Sequence, residues 1–398
     1  MLRGRLSNLA GSRVWGRLAA VTAFTFATAQ RIVFGPGVAA ELPAIVAGLG
    51  RRPFVCTGSD PRRHAGVIAG LSGVATFAVA GEPTIDLVRE AAAAARSHGA
   101  DVVVGLGGGA ALDAAKVVAA LVANGGDPLD YAEVIGRGQP LTEASLPVVA
   151  VPTTSGTGSE VTANGVVTST ADQVKVSLRS PSMLPVVALV DPELTLGVPP
   201  SVTAHAGLDA LVQCIEPFVS PFANPMTDGF CREGIARAGR GLRRAWADGS
   251  DLAARTDMSL CSLLSGLALA NAKLGAAHGL AAPLGGLLGA PHGALTAAVM
   301  TAVSRTNLAA LADEPGNPAI ERYAEVGELL TGHRSAQAYL DWFSETLAEL
   351  QVPGLARYGL TEAQIPAVAL AASRASSTRG NPVRLPVAAF EDILRSSL

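Results

Sequence analysis

An α/β fold, with a doubly wound parallel sheet in the N-terminal half and an all-helical C-terminal half, is what this 398-residue sequence predicts. Three observations predict it. Short β-branched runs alternate with alanine-rich helical stretches between Arg31 and Asp191, glycine-rich turns follow two of those runs, and no convincing strand remains after Pro199-Pro200. The length also exceeds one ordinary core of about 100 to 200 residues, so two domains are expected, with a single long α/β barrel as the competing architecture.

Taken in order, Phe54-Val55-Cys56-Thr57 reads as a strand, Thr84 to His98 as a helix, Asp101 to Gly105 as a buried strand, and Ala110 to Asn124 as a helix stopped by Gly125-Gly126. Val148 to Val151 is a further buried strand, and Val186 to Val190 another, closed by Asp191-Pro192. Strands alternating with helices imply parallel pairing, and such sheets bind their ligands at the carboxyl ends of the strands, where the glycine-rich turns fall. From Thr203 onward the pattern is helical with Pro and Gly breaks. The chain therefore divides into an extension (1–29), an α/β domain (30–197) and a helical domain (198–398).

Composition excludes several classes. The net charge of −3 comes without any dense basic block interleaved with aromatics, so no nucleic-acid partner is expected and small solutes are. Cys56, Cys214, Cys231 and Cys261 form no C-x-x-C pair, which argues against a disulfide framework or zinc ribbon and fits a reducing cytoplasm. The extension carries Arg3, Arg5, Arg13 and Arg17 with no acid, but it lacks an apolar stretch followed by a cleavage site; a plain extension is preferred to a targeting segment. Leu274 to Ser304 contains no Lys, Arg, Asp or Glu and is long enough for a membrane span. Its glycines, Pro283, Pro291 and two histidines point instead to buried core helices around a polar site, with no membrane partner.

Three segments carry chemistry. Gly107-Gly108-Gly109 lies between a predicted strand and a predicted helix, where glycines let the backbone approach a pyrophosphate and the helix N-terminus stabilises its charge; a tight turn without a ligand is the plain alternative. No Gly-Lys-Ser/Thr follows, so this is not a nucleotide-triphosphate loop of the Walker type. Pro152 to Glu160 follows the strand Val148 to Val151 and offers Thr153, Thr154, Thr157 and Ser159 as donors to phosphate, ribose or carboxamide oxygens. In the third, Asp209 and Gln213 stand four residues apart on one helical face, and His278 and His292 bracket the uncharged segment. Buried histidines need partners, and a carboxylate with a divalent metal supplies them, although a lone histidine is more often a satisfied core residue.

In this order and spacing, Gly107-Gly108-Gly109-x-x-x-Asp113-x-x-Lys116, then Pro152-Thr153-Thr154-x-Gly156-Thr157-Gly158-Ser159-Glu160, then Gly207-Leu208-Asp209-Ala210, the chain resembles the iron-containing, or group III, alcohol dehydrogenases, over nearly its whole length. The resemblance implies a dinucleotide-binding N-terminal domain, a helical C-terminal domain with metal and nicotinamide in the cleft between them, a small alcohol or aldehyde substrate, and a homodimer. It assigns phosphate and ribose binding to Gly107, Gly108, Gly109, Thr153, Thr154 and Thr157, and places Asp113 and Lys175 near the nicotinamide, with Ser159 in the same loop; Lys116 is open to a plain helix-face salt bridge. It makes Asp209, His278 and His292 the catalytic metal ligands, for zinc or iron.

The sequence departs from this pattern at two places. Gln213 stands where relatives carry a fourth ligand His, and an amide is a poor substitute for imidazole; related glycerol dehydrogenases hold zinc with one acid and two His, so a three-ligand site is the expectation, with Gln213 a doubtful fourth. Ala282 stands where many relatives carry another active-site His, and His205 is an unexpected extra. Many NAD-dependent relatives place an Asp after the strand Phe54 to Thr57 to bind the adenosine ribose; here Gly58 and Ser59 occupy that turn, so NADP is expected over NAD, with Asp60 as the feature that could restore NAD. The alternatives are a metal-free reductase resembling the maleylacetate reductases, a dehydroquinate-synthase-like or glycerol-dehydrogenase-like enzyme, and a cofactor-binding homologue without turnover.

Overall fold

The computed structural model describes residues 23–172 and 174–398. The expectations for residues 1–22 lie outside that range. Eight strands are present among the described residues: β1 (Arg31–Phe34), β2 (Pro53–Thr57), β3 (Ala75–Ala78), β4 (Val102–Gly107), β5 (Val148–Pro152), β6 (Asn164–Ser169), β7 (Val174–Arg179) and β8 (Val187–Val190). Six of them form one parallel sheet in the order β1-β8-β5-β4-β2-β3. β2, β4, β5 and β8 are buried along their whole length, as continuous Val-rich runs covered on both faces must be. Helices α1 (Leu42–Ala47) and α2 (Ala65–Ala69) cover one face, and α3 (Ile85–His98) and α4 (Gly109–Asn124) the other, followed by the single turn α5 (Pro128–Tyr131).

The predicted elements are found within one or two residues of their predicted ends. The hairpin β6–β7, antiparallel and outside the main sheet, was not expected. Its residues are half polar and include Gly165, so no apolar run marks it. It lies on α4, with Gly165 so close that a Cβ there would stand 2.6 Å from Val117 Cγ2.

Sheet order fixes where a ligand sits. The chain leaves β2 toward β3 but leaves β4 in the opposite direction, toward β5, so a crevice opens at the carboxyl ends of β2 and β4. Gly58 ends one wall and Gly107 the other, only 3.0 Å separating a Cβ built on Gly107 from the Gly58 nitrogen.

The helical half comprises α6 (Pro200–Val219), α7 (Pro225–Ala247), α8 (Leu252–Ala272), α9 (Ala276–Leu288), α10 (His292–Leu311), α11 (Ala319–Thr331), α12 (Ala336–Glu349), α13 (Ile365–Arg374) and α14 (Val387–Ser396). α6 is its axis, buried without a break from Gly207 to Val219 among α7, α8 and α10. α10 has the length and apolarity of a membrane span, yet more than half of its apolar window is buried in this helical core; α8 and α9 are bent by 101° at their junction. Residues ahead of β1 also lie on the helices: Ala27 exchanges two hydrogen bonds with Asn271 of α8, and Phe26 packs on Phe230 of α7.

The loop from Thr153 to Ser159 joins the two halves. Gly158, at φ +61°, lies backbone to backbone against Gly266 of α8, and a Cβ on Gly156 would stand 2.8 Å from Ala206 Cβ of α6. Ser155 adds a hydroxyl contact of 3.0 Å to Ser259 of α8. Any side chain at 156 or 158 would wedge this junction open.

Candidate active site

α6 presents Asp209, Gln213 and Glu216 at i, i+4 and i+7, one face of a helix. His278 comes from the first turn of α9, and His292 is the first residue of α10. One ligand atom each from Asp209, His278 and His292 lie within 4.8 Å of one another. His278 Nε2 is 3.5 Å and His292 Nε2 4.0 Å from the same Asp209 Oδ1. Asp209 and His278 are almost wholly buried, whereas His292 keeps 34 % of its side chain open to the cleft.

Hydrogen bonds set each group. Glu216 Oε2 is 2.6 Å from His278 Nδ1 while its Oε1 accepts from Ala277 N at 2.7 Å. A carboxylate there selects the Nδ1–H tautomer, so the Nε2 lone pair points at Asp209 and His292. That Nε2 is buried and has no hydrogen-bond partner. Thr296, one turn after His292, donates to Asp209 Oδ1 at 2.9 Å. Gln213 Nε2 donates to Asp209 Oδ2 at 2.7 Å, and Gln213 Oε1 lies 3.0 Å from Ser265 Oγ, whose single proton also reaches the Ser262 carbonyl oxygen at 2.8 Å. The amide cannot be turned over without setting its oxygen against a carboxylate oxygen.

Two ring nitrogens and a carboxylate oxygen converging on one buried point call for a cation, proton or metal, between them. Burial pushes the His278 imidazole down, yet Glu216 and then Asp209 outweigh it and bring it up to about 10. Burial raises the Asp209 carboxyl, and the neighbouring His292 and His278 bring it below its usual value. The surroundings therefore favour a positive charge among these three side chains, and two imidazoles with one carboxylate are a donor set suited to zinc or iron. The residues fit a divalent ion.

The second cluster lines the sheet crevice. Gly108 caps α4 without a side-chain bond, its carbonyl taking the Ala111 and Leu112 N–H groups, so the helix offers the N–H groups of Gly109 and Ala110 at its N-terminus. A Cβ on Gly108 would stand 3.2 Å from Thr154 Oγ1, and one on Gly109 2.6 Å from Thr157 Cγ2, so the hydroxyl loop faces the glycine turn. Thr153 is buried, Thr154 half-buried and Thr157 exposed. Around Gly58 the space for a side chain is empty, and Ser59 is exposed. Because Ala206 precedes Asp209 by three residues, the loop that faces the glycine turn touches α6 about 4.5 Å along its axis from the carboxylate.

Other candidates are placed differently. Asp113 accepts from Ser159 Oγ and from Val166 N, so the two side chains are directed to each other and tie α4 to the loop and the hairpin. Lys116, far from lying on an open helix face, is fully buried and bonds Ser159 O, Thr162 Oγ1 and Asp113. Lys175 pairs with Glu82 at 3.1 Å. Ala282 is exposed, and His205 is half-buried with its carbonyl against Gly293.

The iron-containing alcohol dehydrogenase model matches residues 29–192, and the C-terminal model of the Fe-containing alcohol dehydrogenase family matches residues 203–398. The chain belongs to the iron-containing alcohol dehydrogenase family. A 4-hydroxybutyrate dehydrogenase of Cupriavidus necator is 38 % identical over 79 % of this chain and 82 % of its own length. A choline dehydrogenase of Bacillus subtilis is 32 % identical over 82 % and 81 %. Among solved structures, a 1,3-propanediol oxidoreductase superposes with a TM-score of 0.87 at 30 % identity, covering 95 % of this chain and all of that one. As a member of this family, the enzyme is an NAD(P)-dependent oxidoreductase acting on CH–OH groups of small alcohols and on the matching aldehydes. The family uses NAD(P) and iron or another divalent metal, and none of the alternative activities is favoured.

Glu216, Ser265 and Thr296 escaped the sequence reading. Glu216 had a usable signal, since it continues the Asp209–Gln213 face by one more turn. Ser265 had none, because its role depends on α8 crossing α6.

Proposed function

We propose that the enzyme reduces small aldehydes with NADPH, using one zinc or iron ion held by Asp209, His278 and His292. The observation that carries this reading is the buried, unpartnered His278 Nε2 aimed at Asp209 and His292. Gln213 is read as a positioning residue for Asp209 rather than a ligand, since its amide N–H is given to Asp209 Oδ2, which leaves further coordination to solvent or substrate oxygen. A divalent ion there supplies a Lewis acid that polarises the carbonyl while the cofactor supplies hydride.

The protein's own part is placement. Gly107, Gly108 and Gly109 offer backbone donors at the α4 N-terminus to the pyrophosphate, with Thr153, Thr154 and Thr157 opposite. Asp113 and Ser159 act through each other, bracing the loop. Four buried, unpaired thiols support a reducing, cytoplasmic setting. Among the described residues β1 is an unpaired sheet edge with Ile32 exposed, which supports pairing with a second copy.

Cofactor choice rests on the β2 turn. Asp60 accepts from Arg62 N at 3.1 Å and from the Arg62 guanidinium at 2.9 Å, so it caps its own turn. The room at Gly58 suits a 2′-phosphate with Ser59 beside it. Gly58→Asp is expected to lower kcat/KM for NADPH about tenfold more than for NADH, by like-charge repulsion. A wild-type enzyme strongly preferring NADH, or a variant that penalises both cofactors equally, contradicts this.

A further inference from the structure

His278 is the third residue of α9, just after the chain bends by 101° out of α8, so its place depends on what holds the first turn of that helix. Gly275, at the N-cap, supplies no side chain for the purpose. Two groups from elsewhere do. Ala277 N donates to Glu216 Oε1 at 2.7 Å, and Ala276 N donates to Asn381 Oδ1 at 3.2 Å. Ala276 and Ala277 are fully buried, so water cannot stand in for either acceptor. The Asn381 amide is itself fixed in one orientation. Its oxygen also accepts from Asn307 Nδ2 at 3.1 Å, while its nitrogen donates to Asn307 Oδ1 at 2.7 Å and to Val383 O at 2.8 Å. Asn307 belongs to α10, the helix that opens with His292, and its amide nitrogen also donates to the Tyr323 hydroxyl of α11 at 3.0 Å. The packing around this turn is close: a Cβ on Gly275 would stand 2.8 Å from Glu216 Oε1 and 3.2 Å from Asn381 Oδ1, and one on Gly380 would meet the Leu274 carbonyl.

We propose that Asn381 is a positioning residue for the reaction: it holds the first turn of α9 and thereby places His278 Nε2 against Asp209 and His292. This rests on the reading that these three side chains hold the ion. Glu216 sets the tautomer of the His278 ring and takes Ala277 N, but it ties α9 to α6 alone. Asn381 ties α9 to α10, the two helices that carry the imidazoles. Without its oxygen, Ala276 N is a buried donor with no acceptor, and the turn must shift to find another. Ala276 precedes His278 by two residues, about 3 Å along the axis, so such a shift is carried directly to the ligand atom. A metal site leaves little play for it. The effect of Asn381 therefore passes through His278.

The test compares wild type with Asn381→Ala and Ser304→Ala, each titrated with zinc against a chelator and with cobaltous ion followed by its visible absorption. Asn381→Ala is expected to bind zinc about 10- to 100-fold more weakly, with a changed cobalt spectrum. Ser304→Ala loses a buried hydroxyl bond to Tyr339 in the same helical core. It is expected to melt at a lower temperature while its zinc affinity and cobalt spectrum stay those of wild type. Asn381→Ala with unchanged affinity and spectrum overturns the proposal. A Ser304→Ala variant that weakens zinc equally does so too, since general stability then explains both. Should Asn381→Ala fail to fold, Gly275→Ala decides, because its Cβ presses on the Asn381 and Glu216 oxygens together; unchanged zinc affinity there overturns the proposal. The ring N–H resonance of His278 in metal-free protein carrying labelled histidine reads the same placement without any ion. A shift in Asn381→Ala and none in Ser304→Ala supports the proposal, and no shift in either refutes it. Wild type that takes up neither zinc nor cobalt counts against the metal reading alone.

Discussion

Asp209→Asn is expected to yield a folded protein that binds no stoichiometric metal and reduces aldehydes about a thousandfold more slowly. The side chain that replaces the carboxylate is nearly isosteric, so Thr296 and Gln213 keep a neighbour and the helical core keeps its packing. What is lost is the one negative ligand, and with it the charge that balances a divalent ion between two imidazoles. Gln213→Leu should behave differently. It removes a hydrogen bond to Asp209 but no ligand, so metal affinity falls about 10- to 100-fold and excess zinc or ferrous ion restores the rate. Chelator-competition titrations of both variants separate the two roles. If Gln213→Leu loses metal as completely as Asp209→Asn, the amide is a ligand after all.

Gly108→Val is the second large effect. Gly108 has φ −74° and ψ −177°, an extended backbone that any residue adopts, so the substitution asks only that the Thr154 side chain, 3.2 Å from the new Cβ, give way. The added side chain stands in the space between the α4 N-terminus and Thr154, where a pyrophosphate must come close to backbone N–H groups. NADPH affinity is expected to drop about a hundredfold, roughly 2.7 kcal/mol, by fluorescence titration, with the melting temperature nearly unchanged. Unchanged affinity in the folded variant would remove the glycine turn from the cofactor site.

How much was legible beforehand depended on the range of the interactions involved. The strands Val102–Gly107 and Val148–Pro152 announce themselves because burial on both faces demands unbroken apolar runs, and the glycines that follow them mark the crevice. Asp209 and Gln213 could be placed on one face from helical spacing alone. The hairpin β6–β7 could not, since its residues alternate burial on a polar background and it is held by α4 rather than by its own pattern. Asp113 and Lys116 show the same limit. The family resemblance puts Asp113 near the nicotinamide and leaves Lys116 open to a helix-face salt bridge, and only the packing of α4 against the Thr153–Ser159 loop shows both directed inward. Gln213 stands in the sequence as a doubtful fourth ligand because an amide is a poor substitute for imidazole, and the bond that gives its N–H to Asp209 shows only in the folded α6.

The central claim is that Asp209, His278 and His292 hold a metal needed for the reaction. The most direct measurement is the rate of NADPH-dependent aldehyde reduction by protein dialysed against a chelator, before and after addition of one equivalent of zinc or ferrous ion. A loss of about a hundredfold or more, reversed by the added ion, is the predicted result. Full activity in the chelated, metal-free protein would contradict it.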